Sequence, residues 1–200
     1  QNGLPVKEAD TAFPMITQLR EESSLGSKDG DEVYTIDYLT LSDKANMGTG
    51  SSSRWYPQGD GTAFVLENLG TIHDLCLDHV SVTGDQNTAA VCAYNGGTLE
   101  NLTVAGSIEA KDFAAGIFAT SLPMKEEDET LSKLVNHAKV TADGTAAGIV
   151  AQTKEKVLLE DCVNTGVIEA AVAAGITTAE CENLVLMRCQ NYAPIISSDN

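Results

Sequence analysis

Two hundred residues, 42% of them hydrophobic, fit one domain with a buried core and exclude wholesale disorder. A net charge of −17, from 29 acidic and 12 basic residues, repels phosphate backbones and anionic lipid, which excludes nucleic acid and membrane surfaces as expected partners. No window approaches the roughly 18–20 apolar residues of a membrane-spanning helix, and with aromatics at only 5% the core must come from many small and β-branched side chains.

Taken in chain order, Asp10–Gly26 reads as a short helix: Pro14 suits a first turn, Ile16 and Leu19 share a face, and Gly26 is a stop. This helix is expected to cap or flank the first coil, within an N-terminal segment 1–33. Residues 34–200 make the second expected unit, a repeat domain. It opens on Tyr34–Leu41 (YTIDYLTL), whose alternation predicts a strand in an incomplete leading coil. Ser42–Gly61, with MGTGSSS, Trp55 and Tyr56, reads as a loop.

From there the chain repeats. TAFVL (Thr62–Leu66), TAAVC (Thr88–Cys92), AAGIF (Ala114–Phe118), AAGIV (Ala146–Val150) and AAGIT (Ala173–Thr177) share a small-residue lead-in to an apolar strand. Their aligned residues Val65, Val91, Ile117, Ile149 and Ile176 are spaced by 26, 26, 32 and 27. Each is paired with a second motif: Leu99, Leu102, Val104, Gly106 and Ile108; then Leu131, Leu134, Asn136, Ala138 and Val140; then Leu159, Cys162, Asn164, Gly166 and Ile168; then Leu186, Cys189, Asn191, Ala193 and Ile195. The first copy, Ile72, Leu75, Leu77, Val80 and Val82, fits with one extra residue near Asp78–His79, which reads as a bulge. Two motifs drifting together at about 26 residues suit one solenoid turn of two or three short strands with corners. Stacking turns about 4.8 Å apart puts equivalent side chains into interior ladders. The fold expected is all-β: a single-stranded, right-handed parallel β-helix of the pectin-lyase type, with about five to six short coils and a short N-terminal helix.

The longest interval holds an insertion, Ser121–Thr130, with the run Lys125, Glu126, Glu127, Asp128 and Glu129. It reads as a protruding acidic loop, either merely solvated or facing a partner or cation. Beyond Ile195–Ile196 lies only SSDN, without a cap, so that edge is expected to continue into a longer chain or to self-associate.

GTIHDLCLDHVSVTG (Gly70–Gly84) and GTLENLTVAGSIEA (Gly97–Ala110) resemble the GTIxNLxVxGxV coils of bacterial cell-surface proteins that carry the GLUG motif. The AAGI stretches resemble that motif's glycine-rich run, with alanine at some glycine positions and a degenerate last copy, TTAEC (Thr177–Cys181). The resemblance covers roughly Tyr34 to Ile196. It implies a β-helix in a secreted or surface-anchored, adhesin-like protein, and it brings no catalytic residues.

Chemistry-bearing residues are sparse and scattered. Cys76, Cys92, Cys162, Cys181 and Cys189 are an odd set without CxxC, so they read as buried free thiols rather than a metal site or disulfide framework. His73 is expected to face outward over Glu100, while His79 and His137 fall near one corner two coils apart, about 9.6 Å, too far to share a zinc ion. Ser51–Ser53 and Ser197–Ser198 lack a nucleophile elbow, GTGSSS lacks the lysine of a phosphate loop, and Asp29-Gly30-Asp31-Glu32 lacks the full calcium-loop pattern. Asp74, Asn101, Lys133, Asp161 and Arg188 should stack in one outward column. Asp112, Asp143 and Glu169 are the nearest approach to catalytic carboxylates, on a platform with three scattered arginines and few aromatics. The reading is a non-enzymatic module, without cofactor or metal, that presents a surface to an extracellular protein or glycan. A carbohydrate-active β-helix and a structural spacer are the alternatives.

Overall fold

The computed structural model describes residues 16–27, 32–42, 61–123, 130–153, 155–178, 181 and 183–198. Among them every paired strand runs parallel to its neighbour, and there is no helix. The chain winds as a β-solenoid of about four turns, each visiting three walls. The course is clearest from Cys92 onward. Cys92–Asn95 lies in one wall, Thr98–Ala110 forms the long second wall, Phe113–Ala115 forms the third, and Phe118–Ser121 returns to the first, one rung on.

The interior ladders run along the second motif. Ile72 pairs with Leu99, Leu75 with Leu102, Leu77 with Val104 and Val82 with Ile108. The rows continue through Leu134 onto Leu102, Asn136 onto Asn164 and Asn191, and Ile108 onto Val140, Ile168 and Ile195. Leu99, Leu131 and Leu159 are fully buried, as expected where Leu, Ile and Val fill the space between stacked backbones. The register shifts between Leu77 and Val80, so the extra residue at Asp78–His79 is a bulge as its sequence indicates. Across from it Gly106 takes a φ of 134°, and a Cβ there would meet the Val80 carbonyl oxygen at 2.1 Å.

The first-motif row differs from expectation by one residue. Val65 pairs with Cys92, Phe118 and Val150 continue that row, and Thr177 bridges to Val150. Phe64 therefore shares a rung position with Val91, Ile117, Ile149 and Ile176. Aligning by β-branched likeness slides the first copy, whereas the ladder hydrogen bonds, such as Phe64 N–H to the Ala90 carbonyl at 3.1 Å, set its true register.

The expected N-terminal helix is not formed over the described residues. Ile16–Leu19 and Ser24–Gly26 are strands that pair with Val65–Asn68 and Thr71–His73. Tyr34–Asp37 and Thr40–Ser42 then pair with Leu75–Asp78 and Ser81–Thr83, which makes the leading coil anticipated for YTIDYLTL. The i, i+3 spacing of Ile16 and Leu19 is equally a strand beside an open sheet edge. Without that coil, the row of N–H and C=O groups from Val65 to Thr83 would lack partners on one side. Residues 10–15 of the expected helix and most of the 42–61 loop lie outside the described residues.

Two asparagine ladders run up the interior. In one, Asn136 Nδ2 donates to Asn164 Oδ1 at 2.8 Å, and Asn164 Nδ2 donates to Asn191 Oδ1 at 2.7 Å. Each of these asparagines also donates to the carbonyl two residues on, at Ala138, Gly166 and Ala193. In the other, Asn68 Nδ2 donates to Asn95 Oδ1 at 2.7 Å. A carboxamide carries both donor and acceptor, so a stack of them satisfies itself along the solenoid axis while closing the turn beside it.

Candidate functional site

The bulge brings together Asp37, Asp78 and His79. Asp37 and Asp78 sit directly opposite one another on adjacent strands. His79, the extra residue, turns its ring between them: Nδ1 lies 3.0 Å from Asp37 Oδ1 and 3.2 Å from Asp78 Oδ2. The bend is made by left-handed backbone on both rungs, φ 57° at Tyr38 and 49° at His79, and the two rings stack with centroids 4.9 Å apart and planes 14° from parallel. Two facing carboxylates repel, and an imidazole nitrogen within hydrogen-bond reach of both offsets that. The three side chains offer ligand atoms that all lie within 4.8 Å of one another. Their oxygen and nitrogen donors suit a divalent cation that keeps water in its remaining positions.

The column expected from Asp74 to Arg188 is present and proves to be a second line of left-handed residues. The φ values of Asp74, Asn101, Lys133, Asp161 and Arg188 run from 49° to 55°. Asn101 Nδ2 donates to Asp74 Oδ1 at 2.6 Å, and Arg188 donates to both Asp161 oxygens at 2.7 and 2.9 Å and to Glu160. Lys133 reaches Glu100 at 3.3 Å rather than Asp161. The Asn101 hydrogen bond holds the Asp74 carboxyl below the usual range, and the Arg188 hydrogen bonds do the same for Asp161.

The other sequence candidates are dispersed. His73 pairs in register with Glu100 as expected, with Nδ1 2.8 Å from Asp74 and Nε2 2.8 Å from Ser24 Oγ. His137 is exposed beside Thr165 Oγ, in a different coil from His79. Asp143 and Glu169 line one open depression with Ala142, Ala170, Ile196 and Ser198, and Lys139 pairs with Glu169 at 3.1 Å. Asp112 stands apart from that depression: Thr145 N–H and the chain at Gly144 pack on its backbone. The acidic run from Lys125 to Glu129, and Ser51–Ser53, lie outside the described residues.

All five cysteines are free thiols. Burial pushes Cys76, Cys92 and Cys181 up. Cys162 Sγ donates to the Glu160 carbonyl at 3.4 Å, and Cys189 Sγ lies within donating distance of the Leu159 and Met187 carbonyls at 3.4 and 3.5 Å.

In the last described coil, positions that continue the interior rows are exposed. Leu186 and Ile195 are 45% and 38% exposed, although Leu159 and Ile168, one rung below, are fully buried. Among the described residues no helix is long and apolar enough to cross a membrane.

The Asp37, Asp78 and His79 cluster escaped sequence reading because its members come from two coils more than 40 residues apart. A signal was nonetheless present. Ile36-Asp37-Tyr38 and Leu77-Asp78-His79 repeat one apolar–Asp–aromatic triplet, and stacking those triplets superposes the aspartates.

Comparison with known proteins gives one partial similarity. No family model matches the chain, and no solved structure matches it. Over 70 residues, 35% of the chain, it is 31% identical to halomucin of Haloquadratum walsbyi. The matched stretch is about 1% of that protein's own length.

Proposed function

We propose that this chain is a non-enzymatic module of a cell-surface protein, an adhesin-like β-helix that presents its walls to an extracellular basic protein or a glycan. The observation that carries this reading is the way polar side chains are used. Lys111 with Asp85, Lys133 with Glu100, Lys139 with Glu169 and Arg188 with Asp161 each bond across a coil boundary, so these outward groups serve the stacking itself. Isolated exposed pairs of this kind contribute little each, but repeated along an axis they disfavour slipped registers. What remains outward is acidic, with a net charge of −17, which suits a basic partner.

The resemblance of Gly70–Gly84 and Gly97–Ala110 to GLUG-motif coils supports placement in that group of surface proteins, and the partial similarity to a protein named as a mucin points the same way. Right-handed winding is the sense that parallel strand crossovers take. On this reading the chain acts outside the cell.

The test is an array of host glycans and matrix proteins probed with the full chain near physiological salt. Retention on at least one basic protein or glycan, weakened by added salt, is the expected result. An array that retains nothing favours a structural spacer. Release of reducing or unsaturated ends from polyuronates on incubation with the chain establishes a carbohydrate-active enzyme instead.

A further inference from the structure

We propose that Cys162 and Cys189 are a reactive dithiol that a small-molecule disulfide oxidises to an intrachain cross-link, fastening the last described coil to the coil beneath it. This inference rests on the fold alone and is independent of what the surface binds.

The two residues hold the same place on successive rungs. Glu160 pairs with Met187 on one side of them, Val163 pairs with Gln190 on the other, and Gln190 N–H donates to the Cys162 carbonyl at 2.9 Å. Neighbouring parallel strands run about 4.8 Å apart, inside the Cα separation of roughly 4.4–6.8 Å that a disulfide spans. The side chains also point the right way. Cys189 Sγ reaches down to the Leu159 carbonyl of the coil below at 3.4 Å, and Cys162 Sγ lies 3.4 Å from the Glu160 carbonyl on its own rung.

The pair is asymmetric as a two-step exchange requires. Cys162 is buried, whereas Cys189 is only partly buried and within reach of a small reagent. The more accessible Cys189 is the thiol that a reagent meets first, and its thiolate is the attacking form. Cys189 loses its proton to solvent and attacks one sulfur of the reagent; that S–S bond breaks and one thiolate leaves. The Cys162 sulfur then attacks Cys189 Sγ, forming the protein S–S bond and releasing the second small thiol, which takes up the Cys162 proton. Two protein thiols are oxidised and one small disulfide is reduced to two thiols.

The position gives the bond a physical effect. In a stacked solenoid each coil is held by its neighbours, and among the described residues Leu184–Met187 pairs with Val157–Glu160. A covalent tie across that interface restrains local opening of the two coils from one another.

The experiment treats the native full chain with oxidised glutathione near pH 8, quenches in acid and maps the peptides by mass. The expected product has lost two hydrogens and links the peptides of Cys162 and Cys189, and Cys162→Ser stops at a glutathione adduct on Cys189. Hydrogen exchange at Leu184–Met187 should slow on oxidation by about tenfold or more. The proposal is overturned by a stable glutathione adduct on wild-type Cys189, by a cross-link between any other cysteines, or by thiols that stay unreacted in the native chain while the urea-unfolded chain reacts. The wild-type map decides the matter even where Cys162→Ser folds poorly.

Discussion

A Cβ placed on Gly148 would lie 2.5 Å from Cγ of Asn164, so the glycine of one wall and the asparagine of another share a single interior slot. The same relation holds for Gly116 with Asn136, at 2.5 Å, and for Gly175 with Asn191, at 2.4 Å. Where the ladder position is Leu77 or Val104 instead, the matching lead-in residue is Ala63 or Ala90. The glycine of AAGI is thus fitted to the carboxamide stack, and it also lets the next rung's carbonyl approach, since the same Cβ would sit 2.1 Å from the Gly175 oxygen.

Gly148→Ala should therefore destabilise the fold by about 2–3 kcal/mol, because a rigid backbone contact cannot yield without shifting a rung. Equilibrium unfolding in urea measures this. A midpoint for Gly148→Ala equal to wild type would mean the slot is not shared.

Asn164→Val removes the middle of the ladder. Asn136 Nδ2 and the Gly166 N–H and carbonyl each lose a partner inside the core, and Asn191 Oδ1 loses one at the exposed end of the ladder. Buried polar groups left unpaired cost about 1–3 kcal/mol each when nothing replaces the partner. A total loss of about 3 kcal/mol is expected by chemical denaturation, larger than that of Asn191→Val, whose site is exposed.

These relations mark what the sequence can and cannot convey. The spacing of Leu and Ile residues specified the long wall rung by rung, from Ile72 over Leu99 to Ile168 over Ile195, because a buried face repeats its chemistry at every turn. The asparagines were legible as motif positions, yet their ladder was not, since a lone Asn reads equally as a corner residue. Ile16–Leu19 was misread because four residues carry too little pattern to tell strand from helix, and the deciding factor, the open edge at Val65–Asn68, is non-local. The bulge was legible as one extra residue, whereas its gathering of Asp37, Asp78 and His79 depended on the leading coil's register.

Lys133 holds a φ of 55° at the bend of its coil, where Asn101 holds 52° one rung below. Left-handed backbone is strained for a lysine and tolerated by asparagine, whose short polar side chain bonds locally. Lys133→Asn should raise stability by about 0.5–1 kcal/mol despite losing the exposed contact with Glu100. Lys133→Val, β-branched at the same φ, should lower it. Thermal midpoints of the two variants, moving in opposite directions from wild type, are the check; a fall with Asn would show that the Glu100 contact outweighs the strain.

The Asp161–Arg188 pair should make itself felt on the acid side of the stability profile. Its hydrogen bonds lower the Asp161 pKa in the folded chain relative to the unfolded one. A carboxyl depressed in this way contributes stability above its unfolded pKa, and that contribution disappears as pH falls through the folded value. The window therefore opens in the ordinary aspartate range and extends below it, and at neutral pH the profile is flat. Arg188→Met removes the donor and returns Asp161 toward the range of an aspartate in a short peptide. The difference in thermal midpoint between wild type and Arg188→Met should be constant from neutral pH down to about 5 and then shrink as acid is added, and NMR titration should show the Asp161 midpoint moving upward in the variant. A difference that persists unchanged into acid would assign the role of Arg188 to packing of its aliphatic stem on the last coil rather than to its charge.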